Sequence, residues 1–346
     1  MLSAAMLMGI LAGCGGTGGE AGNGKGVVKV FNWGEYIDES IFADFEAQTG
    51  IEVIYKTYPD NEGMYGTLKG GGADYDVIIP SDYMVSRMID EDMLEKLDFN
   101  NIPNFSDIDP TLKNPDYDSS GEYSVPYTWG TVGIIYNTTK VTKPVEGWDI
   151  LFDEEYKGQI LMFDNSRDAI GIALKSLGYS YNTTDEAQIK EAVDLLLEQK
   201  PLVQSYVMDQ IFDKLEGGEA AIGPYYAGDF ITMHEANPDL AFCLPKEGSN
   251  VFVDAMCIPK GAGNKANAEA FINFMCSQAA GMANCEATGY STPLLSVKDA
   301  LPDEMKNDVV AYPDAEALAR CESFVNLPQN LLDLYDSEWL RLKTTN

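Results

Sequence analysis

Two hydrophobic patterns alternate along the chain. Short runs rich in β-branched and aromatic residues, such as residues 27–31 and 51–55, predict β-strands. Between these runs, apolar residues at helical spacing occupy residues 41–45, with Asp38 as the predicted N-cap and Gly50 as the predicted stop. The first part of the chain therefore predicts a strand, a helix and a second strand.

The same alternation continues to residue 258. Further strands are predicted at residues 75–79, 159–163, 220–223, 240–244 and 251–258, and further helices at residues 61–69, 167–177, 186–198 and 229–235. Alternating strands and helices predict largely parallel sheets with helices on their faces, and the two sets of elements predict two α/β lobes. Open α/β sheets bind ligands beyond the carboxyl ends of their strands, so we expect a ligand cleft between the lobes.

The N-terminus carries the signals of export and lipidation. Residues 2–11 are almost entirely apolar or small, and they lead into Leu11-Ala12-Gly13-Cys14. This pattern predicts a signal peptide over residues 1–13, a lipid anchor at Cys14 and a Gly-rich tether over residues 14–26. The alternative is an ordinary signal peptide that is cleaved at another position.

The formal net charge of −32 narrows the choice of partner. Binding to nucleic acid requires a basic face, so nucleic acid is excluded as a partner. A cationic ligand is favoured, although many secreted proteins are acidic for solubility alone.

Five cysteines remain once Cys14 is set aside. They are Cys243, Cys257, Cys276, Cys285 and Cys321. Their odd number prevents complete internal pairing, and no spacing matches a zinc-binding Cys-x-x-Cys pair, so no metal site is predicted. Cys243 and Cys257 lie in two predicted strands, where they form either a disulfide or two buried free thiols.

The residue types offer little support for catalysis. The single histidine, His234, is predicted on a helix surface, and the sequence contains no phosphate-binding loop and no Gly-x-Ser-x-Gly motif. We predict neither an enzyme nor a bound cofactor. A glycosidase with paired carboxylates remains compatible with the residue types alone.

Aromatic and polar residues recur where the predicted strands end. The candidate ligand-binding residues are Trp33, Glu35, Tyr36, Ser81, Asp82, Tyr83, Asn165, Asp168, Tyr226, Phe252, Asp254 and Tyr290. Any one of these aromatic residues could simply be packed in the protein. Their recurrence beside carboxylates and hydroxyls instead indicates a single site.

Such a site suits a slender aliphatic cation. Each buried ammonium group needs a carboxylate within hydrogen-bonding distance, while aromatic faces cover the methylene groups and attract the charge. The sequence has four arginines, Arg87, Arg167, Arg320 and Arg341. Anionic ligands are therefore disfavoured, since they are usually clamped by arginine.

Taken in order, many short motifs resemble the spermidine/putrescine-binding proteins of ABC importers, which belong to the periplasmic-binding-protein type II superfamily. The resemblance covers nearly the whole chain from Val27 onward. The motifs are Asn32-Trp33-Gly34-Glu35-Tyr36, Asp60-Asn61-Glu62, Tyr75-Asp76-Val77-Ile78-Ile79-Pro80-Ser81, Tyr123-Ser124-Val125-Pro126-Tyr127, Leu177-Gly178-Tyr179-Ser180, Gly289-Tyr290 and Tyr312-Pro313-Asp314.

The resemblance implies a two-lobed α/β fold with a hinge and a ligand cleft between the lobes. Residues 27–133 and 256–303 would form the first lobe, and residues 134–255 and 304–346 the second. Asp254 resembles the carboxylate that holds an inner amine, while Glu35 and Asp168 would hold other ammonium groups.

Four positions depart from the family pattern. Tyr226 and Phe252 replace tryptophans, Asn165 replaces an acid, and Phe324 falls near an expected glutamine. These differences leave the choice between putrescine and spermidine open.

The resemblance also implies partners and a location. A monomer outside the cytoplasm, attached to the membrane only by its lipid, would deliver ligand to permease subunits driven by a cytoplasmic ATPase. Two alternatives remain: an importer component for another organic cation or a sugar, and a surface lipoprotein that senses polyamines.

Overall fold

The structure is a computed structural model that describes residues 26–71, 74–113 and 115–345. Its strands within these ranges are β1 (Gly26–Trp33), β2 (Ile51–Tyr58), β3 (Val77–Ile78), β4 (Ser124–Asn137), β5 (Ile160–Phe163), β6 (Val203–Val207), β7 (Ile222–Tyr226), β8 (Leu240–Cys243) and β9 (Val251–Cys257). The α-helices are α1 (Ile41–Thr49), α2 (Asn61–Lys69), α3 (Asp82–Asp90), α4 (Ser166–Ser176), α5 (Glu186–Gln199), α6 (Ile211–Glu216), α7 (Ala227–Ala236), α8 (Lys265–Met275), α9 (Gln278–Thr288), α10 (Leu295–Ala300), α11 (Asp303–Lys306), α12 (Ala315–Leu318) and α13 (Gln329–Thr344). Short 3-10 helices occupy Phe99–Asn101, Pro103–Asp107, Pro110–Leu112, Asp116–Asp118, Trp148–Phe152, Glu154–Tyr156 and Lys200–Leu202.

The first helix boundaries follow the sequence signals with one exception. Gly50 ends α1 with a left-handed φ of 74°, a conformation that glycine adopts without steric cost. Asp60 caps α2, because its carboxylate accepts the amide of Gly63 at 2.7 Å. The prediction that Asp38 caps α1 is wrong: Ser40 directly precedes the helix. The Asp38 carboxylate accepts the Ser40 amide at 2.9 Å and thereby shapes the turn before the helix.

Two sheets share one long strand. The first sheet has the order β2-β1-β3-β9-β4, and the second continues as β4-β7-β5-β6, with β8 also paired to β4. Residues 124–131 of β4 pair with β9, whereas residues 132–137 pair with β7 and β8. The backbone therefore passes from one sheet to the other between Thr131 and Val132.

The prediction of largely parallel sheets is correct only for part of each sheet. β1 pairs in parallel with β2 and β3, and β5 with β6 and β7, but the pairs that join β4 to β7, β8 and β9 are antiparallel. The sequence signals also missed β4. Its Pro126 lies where the register with β9 shifts, a position in which a missing amide hydrogen is tolerated.

Each sheet is covered by its own hydrophobic core. In the first lobe, Val28 and Val30 of β1 pack with Phe45 of α1 and Phe271 of α8. In the second, Phe163 of β5 belongs to a core that also contains residues of α4, α5 and α13. The chain thus has the two-lobed α/β fold that the resemblance implied.

Strand pairing refines where the chain crosses between the lobes. Val251 pairs with Thr131, so all of β9 belongs to the first sheet and the return crossing precedes the predicted position near Met256. Tyr312 still contacts Trp129, with 5.9 Å between ring centroids, whereas Glu322 donates its amide to the Ser249 carbonyl at 2.9 Å. The chain therefore still contacts the first sheet at Tyr312.

The five cysteines from Cys243 onward are free thiols. Cys243 pairs with Ile134 of β4, whereas Cys257 pairs with Ser124 at the far end of that strand. Ten residues of extended strand span about 33 Å, far beyond the reach of a disulfide. The alternative of a bridge between them is therefore wrong. Within the described ranges, no helix has the length and apolar character needed to cross a membrane.

Candidate functional site

A cavity of about 790 Å³, including the part open to solvent, lies between the two lobes. Eleven of the twelve predicted site residues line it: Trp33, Glu35, Tyr36, Ser81, Tyr83, Asn165, Asp168, Tyr226, Phe252, Asp254 and Tyr290. The strand ends of both lobes therefore meet at one cleft, as expected from the sequence.

Asp254 is a carboxylate buried in the wall of this cleft. The hydroxyl of Tyr36 donates to its Oδ2 at 2.6 Å, while its Oδ1 has no hydrogen-bond partner among the described residues. Burial raises the pKa of Asp254 to about 6, the nearby Ser81 and Tyr36 hydroxyls oppose the rise, and the charge of Asp168 adds to it. A buried acceptor without a partner indicates that a donor is missing here.

Asp168 lies in the first turn of α4 and forms a second acidic position. Asn165 caps this helix: its side-chain oxygen accepts the Asp168 amide at 2.9 Å, and its amide group donates to the Asp168 carboxylate at 2.5 Å. Tyr226 donates to the same carboxylate at 3.1 Å. Burial raises the pKa of Asp168, and these two donors and the charge of Arg167 oppose the rise.

A third acidic position was not predicted from the sequence. Asp229, in the first turn of α7, accepts the hydroxyl of Tyr290 at 3.0 Å. Burial raises its pKa well above the usual range, and the Asp209 and Glu35 charges act in the same direction against the Tyr290 hydrogen bond. Asp209 in turn contacts the hydroxyl of Tyr225 at 3.2 Å.

Aromatic rings form a continuous wall between the acidic positions. The ring of Tyr290 lies edge-on to Tyr36, with 4.7 Å between centroids, and 6.1 Å from Phe252. Phe252 lies 5.5 Å from Tyr226. On the first lobe, the indole N–H of Trp33 donates to a backbone carbonyl at 2.9 Å, which holds the ring in place. The cleft therefore combines flat apolar faces with negative charge.

Glu35 is held in an unusual backbone conformation beside the cleft. Its φ of 45° is left-handed, a region that non-glycine residues rarely occupy outside turns and functional sites. The preceding residue, Gly34, approaches Asp209 so closely that a Cβ atom there would lie 2.5 Å from the carboxylate. The turn after β1 thus brings the first lobe against the second.

Asp82 is the predicted site residue that does not line the cavity. Its carboxylate turns back into the protein, where it accepts the amides of Tyr83 at 2.7 Å and Val253 at 3.4 Å. Burial raises its pKa to about 8. Asp82 begins α3, so its side chain serves the helix N-terminus and the neighbouring strand instead of the cleft.

The residues missed from the sequence carried recognisable signals. Asp209 lies two residues after the end of β6. No strand was predicted there, so Asp209 was not predicted as a residue at a strand end. Asp229 is three residues beyond Tyr226, a spacing that places side chains on one helical face. Cys14 lies outside the described residues.

The comparison with protein families gives the class of this chain. The pattern of the family described as bacterial extracellular solute-binding protein matches residues 40–314. The chain belongs to this family. Such proteins bind solutes for transport and are not enzymes, and His234 does not line the cleft of this solute-binding protein.

Individual relatives agree with this class. The solute-binding protein is 37% identical over 295 residues to the spermidine/putrescine-binding periplasmic protein of Escherichia coli, with 84% of each chain covered. Its fold matches the solved structure of a putative spermidine/putrescine ABC transporter from Listeria monocytogenes, with 39% identity, a TM-score of 0.89 and coverage of 92% and 99% of the two chains. A lipoprotein structure from Treponema pallidum matches with 29% identity, a TM-score of 0.81 and coverage of 91% and 99%.

Proposed function

We propose that this protein captures a polyamine in the interlobe cleft and delivers it to an ABC importer. The single observation that carries the proposal is the grouping of Asp168, Asp229 and Asp254, all largely buried, around a wall of aromatic rings. Several unneutralised carboxylates in one cavity are costly unless cations join them. The names of the relatives support the same ligand class.

An ammonium group would sit first at Asp254. The free Oδ1 of this residue accepts a hydrogen bond from the ligand, and the rings of Tyr290 and Phe252 flank the methylene chain. A second ammonium group would be held by Asp168, or by Asp229 together with Glu35. Each group so bound favours the ionised carboxylate and lowers its pKa.

Closure of the lobes would trap the ligand. Contacts already join the lobes across the cleft, including the hydrogen bond from Tyr290 to Asp229 and one of 3.2 Å from Asn326 to Asp90. The lobes would rotate about the crossing between Thr131 and Val132 and the other two crossings. Ligand favours the closed state because its partners lie on both lobes.

Attachment and delivery complete the proposal. A lipid at Cys14 would anchor the protein outside the cytoplasm, and the closed monomer would dock on permease subunits driven by an ATPase. The lipoprotein relative supports the anchor. Mass spectrometry of the membrane-extracted protein tests it, because a diacylglyceryl modification on Cys14 is expected and an unmodified N-terminus at another residue would contradict it.

A ligand panel tests the function. We expect putrescine, cadaverine, spermidine or spermine to raise the melting temperature and to bind in calorimetry, while choline and maltose do neither. Binding of maltose or choline alone would favour a sugar or another organic cation. No response to any aliphatic amine at low salt would refute polyamine binding. Uptake of labelled polyamine by cells with and without the protein separates transport from sensing.

A further inference from the structure

The long strand β4 contains a bulge beside Asp254. Pro126 pairs with Ala255 of β9. Thr128 pairs with Asp254, the neighbouring residue of β9, so Tyr127 is an extra residue in the ladder. Successive side chains of a regular strand point to opposite faces, whereas a bulge can turn a side chain in a new direction. The bulge therefore allows two consecutive residues of β4 to reach the same target.

Both residues of the bulge hold Tyr36, one at its backbone and the other at its side chain. The hydroxyl of Tyr127 donates to the Tyr36 carbonyl at 2.6 Å. The hydroxyl of Thr128 lies 2.5 Å from the Tyr36 hydroxyl. Tyr127 and Thr128 are buried, and neither lines the cleft. They can therefore influence a ligand only through Tyr36 and the groups that Tyr36 contacts.

The direction of the hydrogen bonds around the Tyr36 hydroxyl follows from its single proton. That proton is donated to Oδ2 of Asp254 at 2.6 Å, so Thr128 donates its own proton to the Tyr36 oxygen. Burial and the charge of Asp254 raise the pKa of Tyr36, and the hydrogen bond from Thr128 opposes the rise. Hydrogen bonds in such a chain polarise one another, so the bond from Thr128 strengthens the bond from Tyr36 to Asp254.

This chain of hydroxyls leaves one oxygen of Asp254 for a ligand. Oδ2 is engaged by Tyr36, while Oδ1 has no hydrogen-bond partner among the residues that the structure describes. The donated hydrogen bond fixes the orientation of the carboxylate and favours its ionised form over its protonated form. The ionised form is the one that holds an ammonium group in the proposed function.

We propose that Thr128 is a positioning residue that acts through Tyr36 to hold the carboxylate of Asp254 ready for an ammonium group. The proposal rests on the proposed function and adds to it a residue that does not touch the ligand. Tyr127 complements Thr128, because it fixes the backbone of Tyr36 directly after the left-handed residue Glu35. The bulge in β4 is thus the feature that prepares this acid for binding.

Other ionisable groups face Asp254 from the elements around it. The acids are Asp82 of α3 and Asp168 of α4, and the phenols are Tyr36, Tyr58, Tyr117, Tyr127 and Tyr226. The other charged residues that line the cavity are Glu35, Asp60, Glu62, Arg167, Asp209 and Asp229. Burial raises the pKa of each of these phenols, so they stay protonated below pH 8. All of these groups are shared by the wild type and a Thr128 variant, so the ratio of their affinities at two pH values reports the change at Asp254.

Calorimetry at two pH values tests the proposal, with putrescine or spermidine as the ligand, whichever binds more tightly. Thr128→Val removes the hydroxyl, so Asp254 should become protonated at a higher pH. The ratio of wild-type to variant affinity should therefore rise at least about twofold between pH 7.5 and pH 5.5. A merely structural role would lower the affinity by the same factor at both pH values. Thr128→Ser keeps the hydroxyl and should restore the affinity to within about twofold of the wild-type value at both.

Ser205→Ala is the control. Ser205 lies in β6, its hydroxyl is buried without a hydrogen-bond partner among the described residues, and it does not line the cleft. This variant should bind like the wild type at both pH values. Thr128→Ala covers the case in which Thr128→Val does not fold, because it places no new atom against Tyr36, and the same rise in the affinity ratio is expected.

Two results would overturn the proposal. A ratio of wild-type to Thr128→Val affinity that is equal at pH 7.5 and pH 5.5 would do so and leave polyamine binding intact, as would an equal ratio for Thr128→Ala where the valine variant is unfolded. Failure of the wild type to bind any polyamine would overturn the proposed function and, with it, the role of Thr128.

Discussion

Single carboxylates in the cleft are held under opposing influences. Burial raises the pKa values of Asp254, Asp168 and Asp229, while hydroxyl donors such as Tyr36, Tyr226 and Tyr290 stabilise the ionised forms. The hydroxyls keep each acid oriented towards the cleft. A bound ammonium group would supply the positive charge that these uncharged donors lack.

Asp254→Asn should lower the affinity for the preferred polyamine by at least about tenfold, because it replaces the charge partner of a buried ammonium group. The ligand-free protein should keep its stability at neutral pH, since the substitution also removes a buried charge. Calorimetry and thermal unfolding measure the two effects.

The control for this variant is Asp82→Asn. Asp82 is a neighbouring buried acid with a pKa of about 8, so it is largely protonated at neutral pH, and its carboxylate is directed away from the cleft. The affinity of the Asp82→Asn variant for the preferred polyamine should stay within about threefold of the wild-type value. Equal losses in both variants would show that general disturbance, and not ligand contact, explains the effect.

Affinity should also depend on pH. The pKa of Asp254 is about 6 in the ligand-free protein, and an ammonium group binds its ionised form. Between pH 7.5 and 5.5 the ionised fraction falls about fourfold, so affinity should fall by at least that factor, with protons released on binding at the lower pH. Calorimetry in two buffers of different ionisation enthalpy measures both.

A fall in pH has the opposite effect on the stability of the ligand-free protein: it weakens ligand binding but stabilises the fold. Because the folded pKa of Asp254 lies above its ordinary value, protonation stabilises the ligand-free fold. This contribution is complete below pH 4 or so and is lost as the pH rises through 6. Asp254→Asn removes the titrating group, so a pH dependence of affinity that persists unchanged in this variant would contradict the assignment to Asp254.

At the scale of elements, α7 meets α9 across the cleft through two glycines. A Cβ atom on Gly228 would lie 2.4 Å from the ring of Tyr290, and one on Gly289 would lie 2.6 Å from the Gly228 carbonyl. Gly289 ends α9 with a left-handed φ of 71°. This close contact is possible only because Gly228 and Gly289 have no side chains. It places Asp229 next to Tyr290, whose hydroxyl donates to the Asp229 carboxylate.

Gly228→Ala should therefore weaken polyamine binding by about tenfold or more, because the added methyl group separates the two helices in the closed state. Gly66→Ala is the matched control: Gly66 lies inside α2 with open space around its Cβ position. That variant should bind normally and gain about 0.5–1 kcal/mol of stability. Normal affinity of Gly228→Ala would show that this contact is not needed for binding.

The elements differ in how well the sequence predicts them. α2 occupies the predicted residues 61–69 because the Asp60 cap and the helical spacing agree. β4 was missed because Pro126 and Gly133 are residues that usually interrupt strands, and only the pairing with β9 shows that the proline lies at a register shift. Local pattern therefore fixes helices with clear caps, whereas a strand stabilised by distant partners depends on tertiary structure.

The candidate site shows the same division. Predicted strand ends supplied eight of the eleven lining residues, since strand ends in such sheets face one edge. The other three differ: Phe252 and Asp254 lie within β9, and Tyr290 follows α9. The inward turn of Asp82 could not be predicted, because it depends on the amide of Val253, 171 residues further along the chain. The surroundings of Arg167 could not be predicted for the same reason. Its guanidinium group lies against the ring of Tyr83 and against those of Phe324 and Tyr335, which come from the last part of the chain.

At the scale of the whole molecule, the net charge of −32 produces an electric field that acts on a cationic ligand before it reaches the cleft. The field attracts a polyamine from a distance, so association should be fast at low ionic strength. Raising the salt from about 20 to 500 mM should slow association by at least about tenfold and change dissociation less, because buried contacts are screened less. Stopped-flow fluorescence measures both rates. If salt weakens binding mainly by increasing the dissociation rate, long-range electrostatic steering is contradicted.

The place of β9 in the first sheet has a consequence for the order of synthesis. β9 lies between β3 and β4 in space, yet it follows both, and most of the second lobe, along the chain. A nascent polypeptide that ends at residue 250 contains β1 to β4 but lacks β9, the strand that pairs with both β3 and β4. The sheet of the first lobe therefore cannot be completed until nearly three quarters of the chain has been synthesised.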